Sequence, residues 1–151
     1  MKKAILFCLF SAIIVSNVNA QQAETEVKKT IQRLFDGMRN ADSTAVLSVF
    51  APTAIMQTIV ADKEGKTAVR QDLVSGFASR IGSLVKGAAD EQIVFETIKV
   101  DGNLAIVWTP YRFVYNGKFS HCGVNTFTLV NFNGEWKINY IIDTRRKENC
   151  D

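Results

Sequence analysis

The sequence is short of the residues that metal sites and nucleophilic enzymes need. Its 151 residues contain one histidine and three cysteines, and one of these cysteines, Cys8, lies in the N-terminal apolar run described below. One histidine and two cysteines then remain, whereas a structural zinc site takes about four such ligands. The patterns G-x-x-x-x-G-K-[ST], G-x-G-x-x-G and G-x-S-x-G do not occur. Nucleotide binding through those loops and serine hydrolysis of that type therefore have no support. The sequence predicts neither a metal nor a cofactor.

The chain also lacks an excess of charge of either sign. It carries 18 basic and 15 acidic residues, and two of the basic ones, Lys2 and Lys3, lie in the N-terminal segment described below. Without them the net charge is +1, which argues against binding to nucleic acid or to an acidic membrane surface. Repeats, low-complexity segments and linkers are absent too, so we expect a single domain.

The N-terminal segment has the pattern of a secretory signal peptide. Lys2 and Lys3 precede the apolar run 4–15, and small residues at 18–20 form a cleavage site before Gln21. The apolar run is too short to span a bilayer comfortably. We expect residues 1–20 to be removed, leaving a mature domain of residues 21–151 in the periplasm or outside the cell, without a stable membrane anchor.

Two cysteines, Cys122 and Cys150, remain in the mature chain. Disulfides persist in an oxidising compartment, but a pair must bring its Cα atoms to about 5.5 Å. The residues between the last predicted strand and Cys150 could carry this cysteine towards Cys122 or away from it. The sequence leaves the disulfide open.

Hydrophobic periodicity predicts three helices and about six strands. The helices cover residues 22–39, a short segment capped by Asp42 or Ser43 and stopped by Pro52, and residues 72–82. The strands are expected at about 54–61, 67–70, 91–100, 104–115, 118–132 and 135–145. Early helices followed by a run of hairpins predict an α+β fold, with the helices against one face of a mainly antiparallel sheet.

Two Asn-Gly pairs, Asn116-Gly117 and Asn133-Gly134, predict tight turns between the last three strands. Such turns need positive φ at both residues, and they fix which side chains share a face. With Tyr115 opposite Lys118 and Phe132 opposite Glu135, one face is predicted to be inner. It carries Leu104, Ile106, Trp108, Pro110, Arg112, Val114, Phe119, His121, Gly123, Asn125, Phe127, Leu129, Trp136, Ile138, Tyr140 and Ile142.

The polar residues on this predicted inner face suggest a binding site. Arg112 is placed opposite His121, and the guanidinium would keep the imidazole neutral. Together they could hold an anionic or carbonyl group, with Trp108, Asn125 and Tyr140 lining the interior. The alternative is that Arg112 extends into solvent while His121 and Asn125 are paired within the protein. Both readings stay open.

The strand at 91–100 has an ambiguous register. A two-residue turn at Asp101-Gly102 would turn Phe95 and Thr97 inward, whereas a three-residue loop would turn Glu96 and Ile98 inward. In the second case Glu96 would be a buried carboxylate with a raised pKa, suited to act as a general base.

The order of elements, together with the ending NGEWKI at 133–138, resembles the nuclear transport factor 2-like superfamily, which has a cone-shaped, cystatin-like fold. The stretches LFDGMRNADS at 34–43, FAPTAIMQTIV at 50–60 and IDTRRK at 142–147 are similar to secreted bacterial members called SnoaL-like or lumazine-binding. The resemblance implies a strongly bent sheet that encloses a blind pocket with the helices. It also implies a homodimer formed through the outer face of the sheet.

Three functions are compatible with this resemblance. The first is a domain that binds an anionic or cyclic small molecule through Trp108, Arg112, His121, Asn125 and Tyr140. The second is an isomerase, dehydratase or cyclase with His121 as general base, and the third is a dimeric structural or partner-binding domain without a ligand. Enzymes of the superfamily place an aspartate in the pocket. The predicted register turns Asp143 outward, which favours the binding domain.

Overall fold

The helices and strands follow the predicted order in a computed structural model that describes the backbone of residues 2–150 and the side chains of residues 20–150. The predicted signal peptide, residues 1–20, lies outside the described side chains except for residue 20. Among the described residues no helix combines the length and apolar composition needed to cross a membrane. The elements are α1 Lys2–Asn40, α2 Ser43–Ser48, β1 Phe50–Ala61, β2 Thr67–Asp72, α3 Val74–Gly82, β3 Ala89–Ile93, β4 Thr97–Asp101, β5 Leu104–Tyr115, β6 Lys118–Phe132 and β7 Glu135–Asp143.

The strands form one sheet in the order β2-β1-β7-β6-β5-β3, with β4 also paired to β5. Every pairing is antiparallel except that of β1 with β7. The predicted α+β fold is confirmed. The sheet has seven strands rather than about six because the predicted strand at 91–100 is interrupted between β3 and β4.

This interruption resolves the ambiguous register of 91–100. Phe95 and Ile98 both pack against the hydrophobic core, while Glu96 and Thr97 are exposed. Each of the two expected registers is therefore half right. Glu96 is not buried, and the prediction of a buried base at this position is wrong.

The helices cover the inner face of the sheet with the side chains that the periodicity indicates. Asp42 caps α2, since its Oδ1 accepts a hydrogen bond from the backbone N–H of Ala45 at 2.9 Å. In α1, Phe35 meets Phe127 of β6 edge-to-face with ring centroids 6.2 Å apart. The buried side of α1 consists of Val27, Ile31, Leu34, Phe35 and Met38.

Both Asn-Gly turns form, but a bulge in β6 changes the pairing beyond the first of them. Asn116 and Gly117 have φ values of 49° and 74°. Val114 pairs with Phe119 as predicted, whereas Phe113 pairs with His121, so Ser120 is an extra residue in β6. A bulge shifts the alternation by one residue and turns the remaining side chains to the other face. The predicted pairing of Arg112 with His121 is wrong, because Arg112 faces Cys122.

A second bulge, in β7, has the same effect near the other turn. Leu129 pairs with Ile138, but Thr128 pairs with Tyr140, so Asn139 is the extra residue. Beyond it Tyr140 and Ile142 lie on the outer face, while Ile141 and Asp143 lie on the inner face. The predicted outward position of Asp143 is therefore wrong.

The C-terminal segment folds back onto β6 and closes the disulfide that the sequence left open. Cys122 and Cys150 are bonded, with their Cα atoms 5.8 Å apart. The backbones of Cys122 and Arg146 also exchange two hydrogen bonds of 2.9 Å. This C-terminal tail, residues 144–150, is thus held against β6, and Arg145 lies within it just after the end of β7.

Candidate functional site

A cavity of about 570 Å³ lies between the helices and the inner face of the sheet. This volume is within the range of sites for small organic ligands. The helices and the segment after α3 contribute an apolar wall, and the sheet contributes polar groups. The apolar wall contains Leu34, Phe35, Met38, Phe77, Ile81 and Leu84.

The buried polar side chains of the described region form a single row across the sheet. Thr58 of β1 is opposite Asp143 of β7, Asp143 is opposite Asn125 of β6, and Asn125 is opposite Thr109 of β5. All four are buried. We call this set the polar row. Between the polar row and the β6–β7 turn the inner face is apolar, beginning with Phe127.

Glu91 of β3 extends the polar row into the cavity. Its Oε1 accepts a hydrogen bond from Nδ2 of Asn125 at 2.8 Å. Burial raises the pKa of Glu91 to about 7; the bond from Asn125 works in the opposite direction, and the charge of Asp143 adds to the increase. This carboxyl group therefore exchanges its proton near neutral pH.

Asp143 is held by a cation and lies beside a phenol. Nε of Arg145 donates to Oδ2 of Asp143 at 2.8 Å, and the Arg145 guanidinium also lies 3.4 Å from Oγ1 of Thr58. Burial works to lower the pKa of Arg145, but the hydrogen bond and charge of Asp143 outweigh it and raise that pKa overall. Arg145 therefore remains a charged partner of Asp143.

Tyr111 of β5 contacts Asp143 of the polar row through its hydroxyl group. Its hydroxyl lies 2.8 Å from the carbonyl oxygen of Thr144 and 3.2 Å from Oδ2 of Asp143. Burial, followed by the charges of Asp143 and Glu91, raises the pKa of Tyr111 far above its usual value. The hydroxyl therefore stays protonated and acts as a donor.

Gly123 makes room for this arrangement. It pairs with Tyr111 across the strands, and a Cβ at this position would lie 1.9 Å from the carbonyl oxygen of Thr144 and 2.8 Å from Cε1 of Tyr111. A side chain here would displace the tail or the phenol ring. The glycine therefore allows the tail that carries Arg145 to approach β6.

His121 faces the same cavity. Its Nδ1 lies 3.0 Å from Oγ of Ser120, and its ring meets that of Tyr111 edge-to-face at 5.7 Å. Burial lowers the pKa of His121, the charge of Arg145 lowers it further, and Asp143 partly offsets both. The predicted direction, towards a neutral imidazole, agrees with this lowered pKa, although the cation responsible is Arg145 and not Arg112.

The five residues predicted to line the pocket are divided between the two faces of the sheet. His121 and Asn125 line the cavity, but Trp108, Arg112 and Tyr140 do not. The Arg112 guanidinium stacks 4.8 Å from the ring centroid of Phe119, and Trp108 is 43% exposed. The hydroxyl of Tyr140 donates to Oε1 of Gln57 at 2.7 Å. The two bulges explain why these predicted positions are wrong.

Four residues of the site were not predicted from the sequence: Glu91, Tyr111, Asp143 and Arg145. β5 carries large apolar side chains on both faces, so alternation alone does not reveal that Tyr111 points inward. Glu91 lies in a short polar strand without a distinctive pattern. Within the described residues no group of three His, Cys, Asp or Glu side chains is arranged to hold a metal ion.

Comparison with known proteins identifies the family and the fold. The sequence profile of the family described as "Putative lumazine-binding" matches residues 22–140. No protein with a curated description matches the chain in sequence. Among solved structures, an NTF2-like protein of unknown function from Shewanella baltica OS155 is 16% identical, with a TM-score of 0.66 over 84% of this chain and 96% of that one.

Two further structures are similar to the same extent. An NTF2-like protein of unknown function from Silicibacter pomeroyi DSS-3 is 14% identical, with a TM-score of 0.65 over 83% of this chain and 98% of that one. A cystatin-like domain of unknown function from Nostoc punctiforme PCC 73102 is 15% identical, with a TM-score of 0.64 over 83% and 78%. These likenesses confirm the predicted NTF2-like, cystatin-like fold.

Proposed function

The chain belongs to this lumazine-binding family of NTF2-like proteins, and we propose that its cavity binds a small cyclic molecule. The observation that carries the proposal is that Asp143 and Asn125 of the polar row, together with Glu91, face a cavity whose helical side is largely apolar. Apolar walls hold a ring through contact area, and a few polar groups fix its orientation. Lumazine, a flat bicyclic ring, is the first compound to test because the family is described by it.

The energetics of the polar groups support a ligand. A buried polar group without a hydrogen-bond partner costs about 1 to 3 kcal/mol. Asn125 is only 4% exposed. Its Nδ2 donates to Glu91, but none of the described residues donates to its Oδ1. A ligand that completes the hydrogen bonds of Asn125 and Glu91 gives these residues a function.

We propose further that the protein works in the periplasm or outside the cell as a homodimer. The N-terminal pattern and the Cys122–Cys150 disulfide support an oxidising compartment. The outer face of β5 exposes three large apolar side chains at alternate positions, and such a patch is typical of an interface between subunits. These side chains are Leu104, Ile106 and Trp108.

Proton transfer is a second candidate function, and the state of Glu91 favours it. A carboxyl group with a pKa of about 7 is suited to take and return a proton at neutral pH. In this case Glu91, rather than His121, would be the general base of an isomerase, dehydratase or cyclase. Chromatography and NMR analysis of the compound recovered after incubation separate the candidates, because a binding domain returns the compound unchanged, whereas an isomer or cyclised product differs in structure even where its mass is the same.

A thermal-shift panel tests the binding proposal. Lumazine and other cyclic metabolites are added to the mature protein, and the melting temperature is expected to rise with at least one of them because binding stabilises the folded state. Asn125→Leu should abolish the increase, whereas Trp108→Ala, which changes the outer face, should preserve it. No increase with any compound, or an equal increase in Asn125→Leu, contradicts the proposal.

A further inference from the structure

The base of the cavity contains a carboxyl group that no described cation pairs with. It contains two carboxyl groups, Glu91 and Asp143, but the guanidinium of Arg145 is engaged with Asp143 at 2.8 Å. Among the described side chains, Glu91 has a single hydrogen-bond partner, the amide of Asn125. Glu91 is thus a carboxyl group in the cavity wall without a cation to pair with it.

The amide of Asn125 leaves a second acceptor beside Glu91. Its Nδ2 donates to Glu91 at 2.8 Å, while its Oδ1 accepts no hydrogen bond from the described residues. The side chain is 4% exposed and lines the cavity. An amide oxygen in this position accepts a donor that enters the cavity, because leaving it unpaired is costly.

The cations at the rim of the cavity are paired elsewhere. The Arg70 guanidinium lies 3.3 Å from Asp72, and that of Arg80 lies 3.9 Å from the same carboxylate. Neither forms a contact with Glu91. Glu91 and Oδ1 of Asn125 therefore face the cavity without an ion pair to any of these cations.

We infer that the Glu91–Asn125 pair receives the N–H edge of a cyclic amidine or of an amino-substituted heterocycle. This inference rests on the proposed binding function and names the ligand class for the same site. Two parallel N–H groups match the two oxygens of a carboxylate, as they do in pairs of arginine with carboxylates. The chemistry is the reverse of the anion site expected from Arg112, because the bulge at Ser120 removes Arg112 from the inner face.

Binding of a cationic ligand at Glu91 should depend on pH. A cation binds the ionised form of Glu91, so its affinity should increase as the pH rises through about 7. Burial and the charge of Arg145 lower the pKa of His121. Among the described residues, the other ionisable groups that face the cavity are Tyr111 and Tyr115 of β5, Asp143 of β7, Arg145 of the tail, Arg70 and Asp72 of β2, and Arg80 of α3.

A matched pair of fragments tests the inference. Benzamidine and benzoate have the same ring and nearly the same shape, but one presents N–H donors and a positive charge, and the other presents acceptors and a negative charge. Each is titrated into the mature protein between pH 6 and pH 8, and binding is followed through the NMR signals of His121, the single histidine of the chain. Glu91→Gln is the test variant, and Glu96→Gln, at an exposed carboxylate, is its control.

We expect benzamidine to bind at least about tenfold more tightly than benzoate at pH 8. Its affinity should fall towards pH 6, and Glu91→Gln should remove both the preference and the pH dependence, whereas Glu96→Gln retains them. Should Glu91→Gln fail to fold, the wild-type preference and pH profile decide alone. Tighter binding of benzoate, or an affinity for benzamidine that is independent of pH, overturns the inference but leaves a binding cavity in place. Binding of neither fragment also overturns the donor-edge inference, while the thermal-shift panel decides the binding function separately.

Discussion

Asp143 lies directly opposite Asn125 on the inner face of the sheet, although alternation counted from the Asn133-Gly134 turn places it outside. This pairing joins the two halves of the candidate site. One half is the Glu91–Asn125 hydrogen bond, and the other is the ion pair of Asp143 with Arg145. A single extra residue, Asn139, is the physical reason that these halves meet.

The raised pKa of Glu91 predicts that the protein loses stability as the pH rises. Its folded-state pKa of about 7 exceeds the ordinary value of 4.5, so the folded state binds more protons than the unfolded state between these values. The free energy of unfolding should therefore fall by about 2 to 3 kcal/mol from pH 4.5 to pH 7 because of this group, and change little above it. Glu91→Gln should remove this decrease and be more stable than the wild type at pH 8. Urea unfolding at several pH values measures it, with Glu96→Gln as control; an unchanged pH dependence in Glu91→Gln would contradict the buried carboxyl.

Gly123→Ala is predicted to be strongly destabilising. The added Cβ would lie 1.9 Å from the carbonyl oxygen of Thr144, so either the tail or β6 must move, at a cost of about 3 kcal/mol or more. Gly76→Ala in α3 is the matched control, because its nearest contact is at 3.7 Å and alanine favours a helix by up to about 1 kcal/mol. Denaturant unfolding of the two variants compares them. Equal stabilities would mean that the tail does not pack against Gly123.

Opening the disulfide should raise the pKa of His121. The tail carries Arg145 and Lys147, whose charges lower this pKa, and Cys150→Ser releases the end of the tail. The same change should reduce stability by roughly 3 to 4 kcal/mol, since the bridge closes a loop with a sequence separation of 28. NMR titration of His121 reads the pKa. As control, Arg112→Gln should leave the pKa of His121 unchanged. A changed pKa in that variant would mean that Arg112 lies close to His121 after all.

The proposed dimer predicts that a charge on the outer face of β5 separates the subunits. Ile106, 48% exposed, would be buried between two copies, and a buried unpaired carboxylate is costly. Ile106→Glu should give a monomer in sedimentation equilibrium at concentrations where the wild type is a dimer. Val85→Glu, at an exposed apolar residue after α3, should stay dimeric. A monomeric wild type would refute the dimer.

The proposed signal peptide predicts the mass of the exported protein. Expression of the whole chain in a bacterium, followed by intact-mass analysis of the periplasmic fraction, should give a product that begins at Gln21, with the Cys122–Cys150 bond formed. Ala20→Arg, which removes the small residue before the cleavage point, should block processing. A full-length product found in the cytoplasm would contradict export.

Sequence patterns were sufficient for the fold, because the periodicity of α1, the Asp42 cap and the two Asn-Gly turns each act over a few neighbouring residues. They were insufficient for the site. The face of each site residue was counted by alternation from a turn several residues away, and one extra residue in between reverses the result. Ser120 and Asn139 each shift the alternation by one residue, and neither differs from an ordinary strand residue in its chemistry. His121 was placed correctly because the part of β6 beyond the bulge keeps the inner face predicted for it. Arg112 of β5 and Tyr140 of β7 lie on the outer face instead, because each bulge shifts the pairing of its strands by one residue.

Native mass spectrometry of the protein purified from its own host tests the binding cavity most directly. The wild-type protein and Trp108→Ala should each retain a non-covalently bound small molecule, and Asn125→Leu, folded to the same extent, should lose it. Protein that carries no small molecule and gives no thermal shift with any cyclic compound would contradict the account, as would a molecule retained equally by Asn125→Leu.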